Sequence, residues 1–221
     1  MEVQKLYNSR FHPEDKERKN GTWKEICSYL QRFVPENKKN VIVDVAAGYC
    51  DFINNIVCDD GEKYAIDINP DVERYARNDV KVIVDDINKL SSAFNSSSVT
   101  IFFMSNFLEH ITKNEISDLL RCEYELLEPE GEIWILTPNI RYVGGKYWDF
   151  FDHITPITEK AIIEEAEAIG FRVKKCINKF LPYTTKSKLP QSDWIVRWYL
   201  RLMPLSGYIF GEQGFIILSK K

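Results

Sequence analysis

Apolar residues come in short bursts along this chain. VIVDV (41–45), KYAID (63–67), VKVIV (80–84), VTIFFM (99–104) and EIWILT (132–137) are strand-length runs separated by stretches with helical spacing. That rhythm predicts a parallel sheet in a doubly wound α/β fold. Ahead of the first run, Trp23, Ile26, Cys27, Leu30 and Phe33 repeat at helical spacing up to Pro35, and Thr22 with Glu25 reads as a capping box opening that helix. A further helix spans about Thr112 to Leu127. After it LEPEGE (127–132) puts Pro129 and Gly131 where a tight turn wants a fixed and then a permissive φ. Thr158 caps a helix with Ile162, Ile163, Ala166 and Ile169 on one face, and Gly170 stops it before a strand at FRVKKCINKF (171–180). The last strand is GFIILSK (214–220). Between these two lies a connection too long for a plain loop, with its own helical stretch DWIVRWYLRLM. The expected organisation is one domain over 1–221, with an N-terminal helical segment at 1–40 and an insertion at about 181–213.

Composition narrows the partners. The chain has 221 residues, a net charge of −4 and 44% hydrophobic residues, so it holds one sizeable core and no broad cationic face. Nucleic acid is not expected as a partner. Five scattered cysteines without a C-x-x-C pair and three histidines support neither a disulfide framework nor a zinc site, and no metal is expected. The charged N-terminus is unlike a signal peptide, and no apolar run reaches the roughly 18 residues of a membrane span. A reducing, cytoplasmic setting is the expectation.

The first strand runs into Ala46-Ala47-Gly48-Tyr49-Cys50-Asp51, a small-residue turn that reads as the opening of a helix. A dinucleotide would need its pyrophosphate on such a helix start with several glycines for close backbone approach. Here one glycine remains and a carboxylate stands near the start, which repels a pyrophosphate and disfavours NAD. S-adenosylmethionine (SAM) carries a positive sulfonium and ammonium, which Asp44 and Asp51 suit, while Ala46 and Gly48 leave room for its methionine part. The second strand ends YAIDINP, placing Asp67 where an acidic side chain can accept both ribose hydroxyls, with Ile68 beside it; an aspartate at a strand end is as readily a turn cap. The third ends VDDI, offering Asp86 and the Ile87 backbone to an adenine.

On these residues the chain resembles the class I SAM-dependent methyltransferases over nearly its whole length. VIVDVAAGYCDF, YAIDINP and VIVDDINKL are similar to their first three motifs, FFMSNFLEHI to the strand-four motif containing Asn106, and LLEPEGEIWILTPN to their helix-to-strand-five passage. The resemblance implies a Rossmann-like, seven-stranded, mostly parallel sheet ending in an antiparallel C-terminal hairpin. It implies SAM as cofactor, with S-adenosylhomocysteine as product. NIRYVGGKYWDFFDHITPIT with KFLPYT and GEQGFIILSK is similar to a bacterial subgroup associated with glycan and surface-polysaccharide synthesis. Ala46 and Cys50 stand where the family usually has glycine, so those positions are expected to hold φ values that other residues tolerate.

The acceptor is therefore expected to be a small molecule or glycan, methylated at oxygen, and a base is the residue to seek. Ligands of open α/β sheets sit at the carboxyl ends of the strands, where the segment 139–153 leaves strand five. Its His153, with an ordinary imidazole pKa of about 6.5 and Asp152 adjacent, is the candidate base; capping the next helix is the alternative. His110 is assigned a packing or orienting role. Arg141 either neutralises an anionic acceptor or is a surface charge. The stripe Trp194, Ile195, Trp198, Tyr199, Leu202 suggests core packing or a homodimer contact, or docking of about 190–205 on a membrane surface. A catalytically silent SAM-binding or partner subunit is the rival function.

Overall fold

The computed structural model describes residues 13–36, 38–183 and 192–221, with side chains from Asn20 onward. The N-terminal residues before Pro13 and the stretch 184–191, which includes the start of the 190–205 region, lie outside the described residues. Seven strands form one sheet in the order β3-β2-β1-β4-β5-β7-β6. They are β1 (Val41–Val45), β2 (Glu62–Asp67), β3 (Val80–Val84), β4 (Val99–Ser105), β5 (Leu127–Pro138), β6 (Arg172–Leu181) and β7 (Gln213–Ser219). β1 to β5 run parallel, and β7 pairs antiparallel with both β5 and β6. This is the Rossmann-like sheet with the C-terminal hairpin. Chain order reverses between β1 and β4, opening a crevice beyond their carboxyl ends.

Alternation along each strand builds two cores, one on each face. Ile42, Ala65, Ile101, Phe103, Trp134, Phe215 and Ile217 meet α1 (Pro13–Leu30), Phe52 and Ile53; Val43, Ile66, Phe102, Met104, Ile133, Ile135 and Leu218 meet helices on the other side. Those helices follow two short ones, α2 (Val72–Tyr75) and α3 (Leu90–Ala93). They are α4 (Lys113–Leu126), opened by a capping box of Thr112 and Glu115, and α6 (Glu159–Ile169), which follows the short α5 (Ile140–Val143). Thr158 caps α6 through the Ala161 N–H, and Gly170 ends it with φ 126°, as its sequence signals predict.

Three local expectations are corrected. Thr22 opens no helix: α1 begins at Pro13 and passes straight through it. The glycine before it serves packing, because a Cβ at Gly21 would lie 2.3 Å from Asp193 Oδ1, at the start of α7 (Asp193–Arg201). The segment after β1 is a succession of turns rather than a helix. Left-handed residues at 46, 48 and 50 break its ladder early, and Asp44 Oδ2 accepts the Ile53 N–H at 3.3 Å. Residues 127–131 are not a tight turn but the start of β5, with the left-handed residue at Glu130 (φ 62°) rather than Gly131. Glycine is needed there for close approach, since a Cβ would stand 2.9 Å from Glu128 O and 3.1 Å from Val99 O.

Between β6 and β7 the described residues hold α7 and α8 (Leu205–Phe210). α7 docks on α1 through Leu200 and a two-pronged Arg197–Glu25 ion pair at 2.7 and 2.9 Å. The aromatic stripe divides: Tyr199 packs inward, its hydroxyl donating to Phe180 O, while Trp194, Trp198 and Leu202 stay exposed beside Leu205, Tyr208 and Ile209. Core packing thus accounts for only one side of α7. No helix among the described residues is long and apolar enough to cross a membrane.

Candidate active site

Parallel pairing brings the ends of β1, β2, β3 and β4 to one edge. At β1 the chain turns through Ala46, Gly48 and Cys50 with φ of 55°, 52° and 57°. The positions that glycine usually fills keep a left-handed conformation, at a cost of about 1 kcal/mol per side chain. Ala47 N–H donates to Ile66 O, and Gly48 N–H donates to Asp67 Oδ2 at 2.7 Å. Asp67 Oδ1 accepts the Asn69 N–H at 2.8 Å, so this buried carboxyl clamps the turn after β1 to the end of β2. Burial raises its pKa and the Asn69 and Gly48 N–H groups oppose that shift. The capping alternative is therefore realised, yet each oxygen keeps a second lone pair for a ribose hydroxyl.

Asp44 is buried under the same turn, and desolvation pushes its carboxyl well above the usual range. Its visible work is to hold Ile53 rather than to supply charge. At β3, Asp86 accepts from both the Asn88 N–H and the Asn88 side chain, capping the turn Ile87–Lys89, and Ile87 packs against the second core. Two apolar side chains lie open at this edge, Ile68 at 65% and Val84 at 40% exposure. Tyr49 and Tyr75 form an edge-on pair at 4.5 Å beside the turn. Val84 and Tyr75 were not singled out from the sequence: each sits in an ordinary motif, and only the sheet makes them neighbours of the crevice.

At β4, Asn106 takes a left-handed φ of 50°, tied by its N–H to Leu136 O and by its amide to Ser105 Oγ. The following turn buries Glu109 to 1% exposure and turns His110 toward the segment from β5. That segment is stitched back: Ile154 and Thr155 N–H donate to Glu109 O, Thr155 Oγ1 donates to Ile111 O, and Tyr147 Oη donates to Thr155 O. His153 is thereby buried, its ring stacked on Phe150 at 5.1 Å, edge-on to Tyr147 at 4.7 Å and to His110 at 4.9 Å. Asp152 meets the other histidine, with Oδ2 and the backbone oxygen 3.2 and 3.1 Å from His110 Nδ1. Thr137 Oγ1 donates to Glu109 Oε2 at 3.2 Å, and desolvation pushes the Glu109 carboxyl up to about 8. Arg141 turns elsewhere: its Nη1 is 2.8 Å from Glu159 Oε1, a buried carboxylate that also accepts from Asn139. His110 and Asp152 are 42 residues apart, so their pairing has no signature in sequence spacing.

Residues 43–135, which carry β2 to β4 and most of β1 and β5, match the family model of a methyltransferase domain. This segment is similar to a methyltransferase domain. The comparison with curated proteins gives no match. Among solved structures, the chain resembles a SAM-dependent methyltransferase from Archaeoglobus fulgidus, with 21% identity, 89% of this chain and 93% of that one covered, and a TM-score of 0.64. A putative methyltransferase in complex with the Trm112 activator of Haloferax volcanii follows at 15% identity, 94% and 93% coverage and a TM-score of 0.64. A phosphoethanolamine N-methyltransferase from Haemonchus contortus, bound to phosphomonomethylethanolamine and S-adenosylhomocysteine, aligns at 15% identity over 87% of this chain and 51% of that one, with a TM-score of 0.58. At these identities the likenesses concern the fold.

The edge at the ends of β1 to β4 suits a cationic ligand such as SAM. A Cβ built on Gly48 meets nothing within 4 Å, so space lies directly before the turn. Residues 46–51 include no lysine or arginine to oppose a cationic ligand. Asp67→Ala is expected to weaken SAM binding by about 1.5–3 kcal/mol, the range for a charged hydrogen-bonding group. It should also lower the melting temperature, because the Gly48 and Asn69 N–H groups lose their acceptor. Calorimetry on the folded variant separates the two effects; a lower melting point with wild-type SAM affinity would leave Asp67 as a cap only.

Proposed function

We propose that the chain methylates a hydroxyl oxygen of a small-molecule or glycan-type acceptor, using SAM. The observation that carries this reading is the cluster of Glu109, His110, Asp152 and His153 at the carboxyl end of β4, beside the crevice where the SAM-binding edge lies. Ala46, Gly48, Asp67, Ile68, Asp86, Ile87 and Asn106 bind and orient SAM, and Asp44 braces the turn beneath it through the Ile53 N–H. When bound, SAM supplies an activated methyl group. The protein aligns the acceptor oxygen with it and takes the hydroxyl proton on an imidazole, His153 or the Asp152-held His110. The Phe150 and Tyr147 rings dry this pocket, and Trp148 and Phe151, both exposed, offer faces on which a sugar can stack. Arg141, engaged by Glu159, supports the acceptor loop rather than an anion. The chain acts in the cytoplasm, in keeping with its free cysteines.

Titration calorimetry tests the donor half: SAM and S-adenosylhomocysteine should bind and NAD should not, with the opposite pattern refuting the assignment. Release of S-adenosylhomocysteine against a panel of hydroxyl-bearing glycans and small molecules tests the acceptor half. SAM binding without turnover on any acceptor that binds would favour the silent-subunit alternative.

A further inference from the structure

One oxygen of Glu109 and one ring nitrogen each of His110 and His153 all lie within 4.8 Å of one another. We infer that these three side chains form a binding site for a divalent transition-metal ion of the zinc type. The inference rests on the methyl-transfer reading only for the role of the ion, not for its presence.

Two imidazoles with one carboxylate are a borderline donor set, which suits zinc, cobalt or iron over the harder magnesium and calcium. An ion about 2.1 Å from each donor needs the donors roughly 3–4 Å apart, so small side-chain rotations close this site. The surroundings supply what such a site requires. Asp152 Oδ2 lies 3.2 Å from His110 Nδ1, the carboxylate–histidine contact that fixes a ligating imidazole and presents its Nε2 to a metal. Glu109 is buried with the Thr137 hydroxyl as its side-chain partner, and among the described residues no lysine or arginine forms an ion pair with it. Burying a carboxylate without a cation is costly, and a divalent ion offsets that cost. Its backbone is held as firmly, through the Ile154 and Thr155 N–H groups on Glu109 O, so the carboxyl and His153 are fixed relative to each other.

An ion here would lower the pKa of an acceptor hydroxyl placed on it. The oxygen then forms its bond to the methyl carbon as the S–CH3 bond breaks, the electron pair of that bond stays on sulfur, and the hydroxyl proton passes to water. His153 and His110 serve in that case as ligands.

The test is metal binding by the whole chain. Protein stripped with a chelator and dialysed against zinc chloride should retain one equivalent by elemental analysis, and cobalt chloride should give visible d–d absorption that zinc abolishes. His153→Ala and Glu109→Gln should each weaken zinc binding at least tenfold, while SAM titration of the same samples shows that the donor edge is intact. Less than a tenth of an equivalent in the wild-type protein, or zinc retention unchanged in both variants, overturns the metal site. If SAM fails to bind while zinc does, the methyl-transfer reading falls and the metal site stands.

Discussion

His153→Ala is expected to lower kcat for methyl transfer by roughly 10²- to 10⁴-fold while SAM affinity stays within about twofold, because general-base contributions fall in that range. SAM is assigned to the ends of β1 to β4, whereas His153 is seated by Phe150, Tyr147 and His110. His110→Ala should produce a loss of similar size, since the two rings are 4.9 Å apart and His110 carries the Asp152 contact. Arg141→Ala is the informative comparison: its ion pair with Glu159 predicts a change in melting temperature larger than any change in kcat. Steady-state kinetics with a true acceptor decide this. Near-wild-type kcat in both histidine variants would exclude imidazole chemistry and leave alignment as the means of catalysis.

Glu123→Leu is expected to stabilise the protein by about 1–3 kcal/mol, the cost of a buried polar group without a partner. Glu123 lies on α4 at 0% exposure, and neither carboxyl oxygen has a hydrogen-bond partner among the described residues. Its pKa is raised well above the ordinary carboxyl value by desolvation, which gives the pH dependence a definite sign. Below about pH 4.5 the folded and unfolded chains both hold the proton, so no ionisation penalty arises. As pH rises further the unfolded chain releases the proton and the folded chain keeps it. Wild-type stability therefore falls with rising pH, by up to about 1.4 kcal/mol per unit from this group. Asp44 adds to the same slope. Denaturant melts at pH 5 and pH 8 should show a larger advantage for the leucine variant at pH 8. An advantage that shrinks at pH 8, or a less stable variant at both, would mean that Glu123 is ionised and supported in the fold.

The strands and α6 were legible because their signals are local. VIVDV and VKVIV match β1 and β3 residue for residue, and Thr158 with Gly170 marks both ends of α6. The opposite happened at Thr22, where a valid capping pattern lies inside a helix. A glutamate- and lysine-rich run upstream carries helix propensity, and the packing of Asp193 onto Gly21 depends on a contact 172 residues away in the chain. The turn after β1 failed for a similar reason: Asp44 and Asp67 hold it by hydrogen bonds that no periodicity reveals.

The amino-acid sequence by itself determined the alternation of strands and helices, the acidic residues at successive strand ends and the absence of a phosphate-type glycine loop. Those features follow from side-chain period, local propensity and short-range charge. Only the tertiary structure decided which groups meet: Asp152 with His110, Arg141 with Glu159, and Glu109 buried against two imidazoles. Such pairings depend on how β4 and the segment after β5 close on each other, and chain spacing carries no record of that distance.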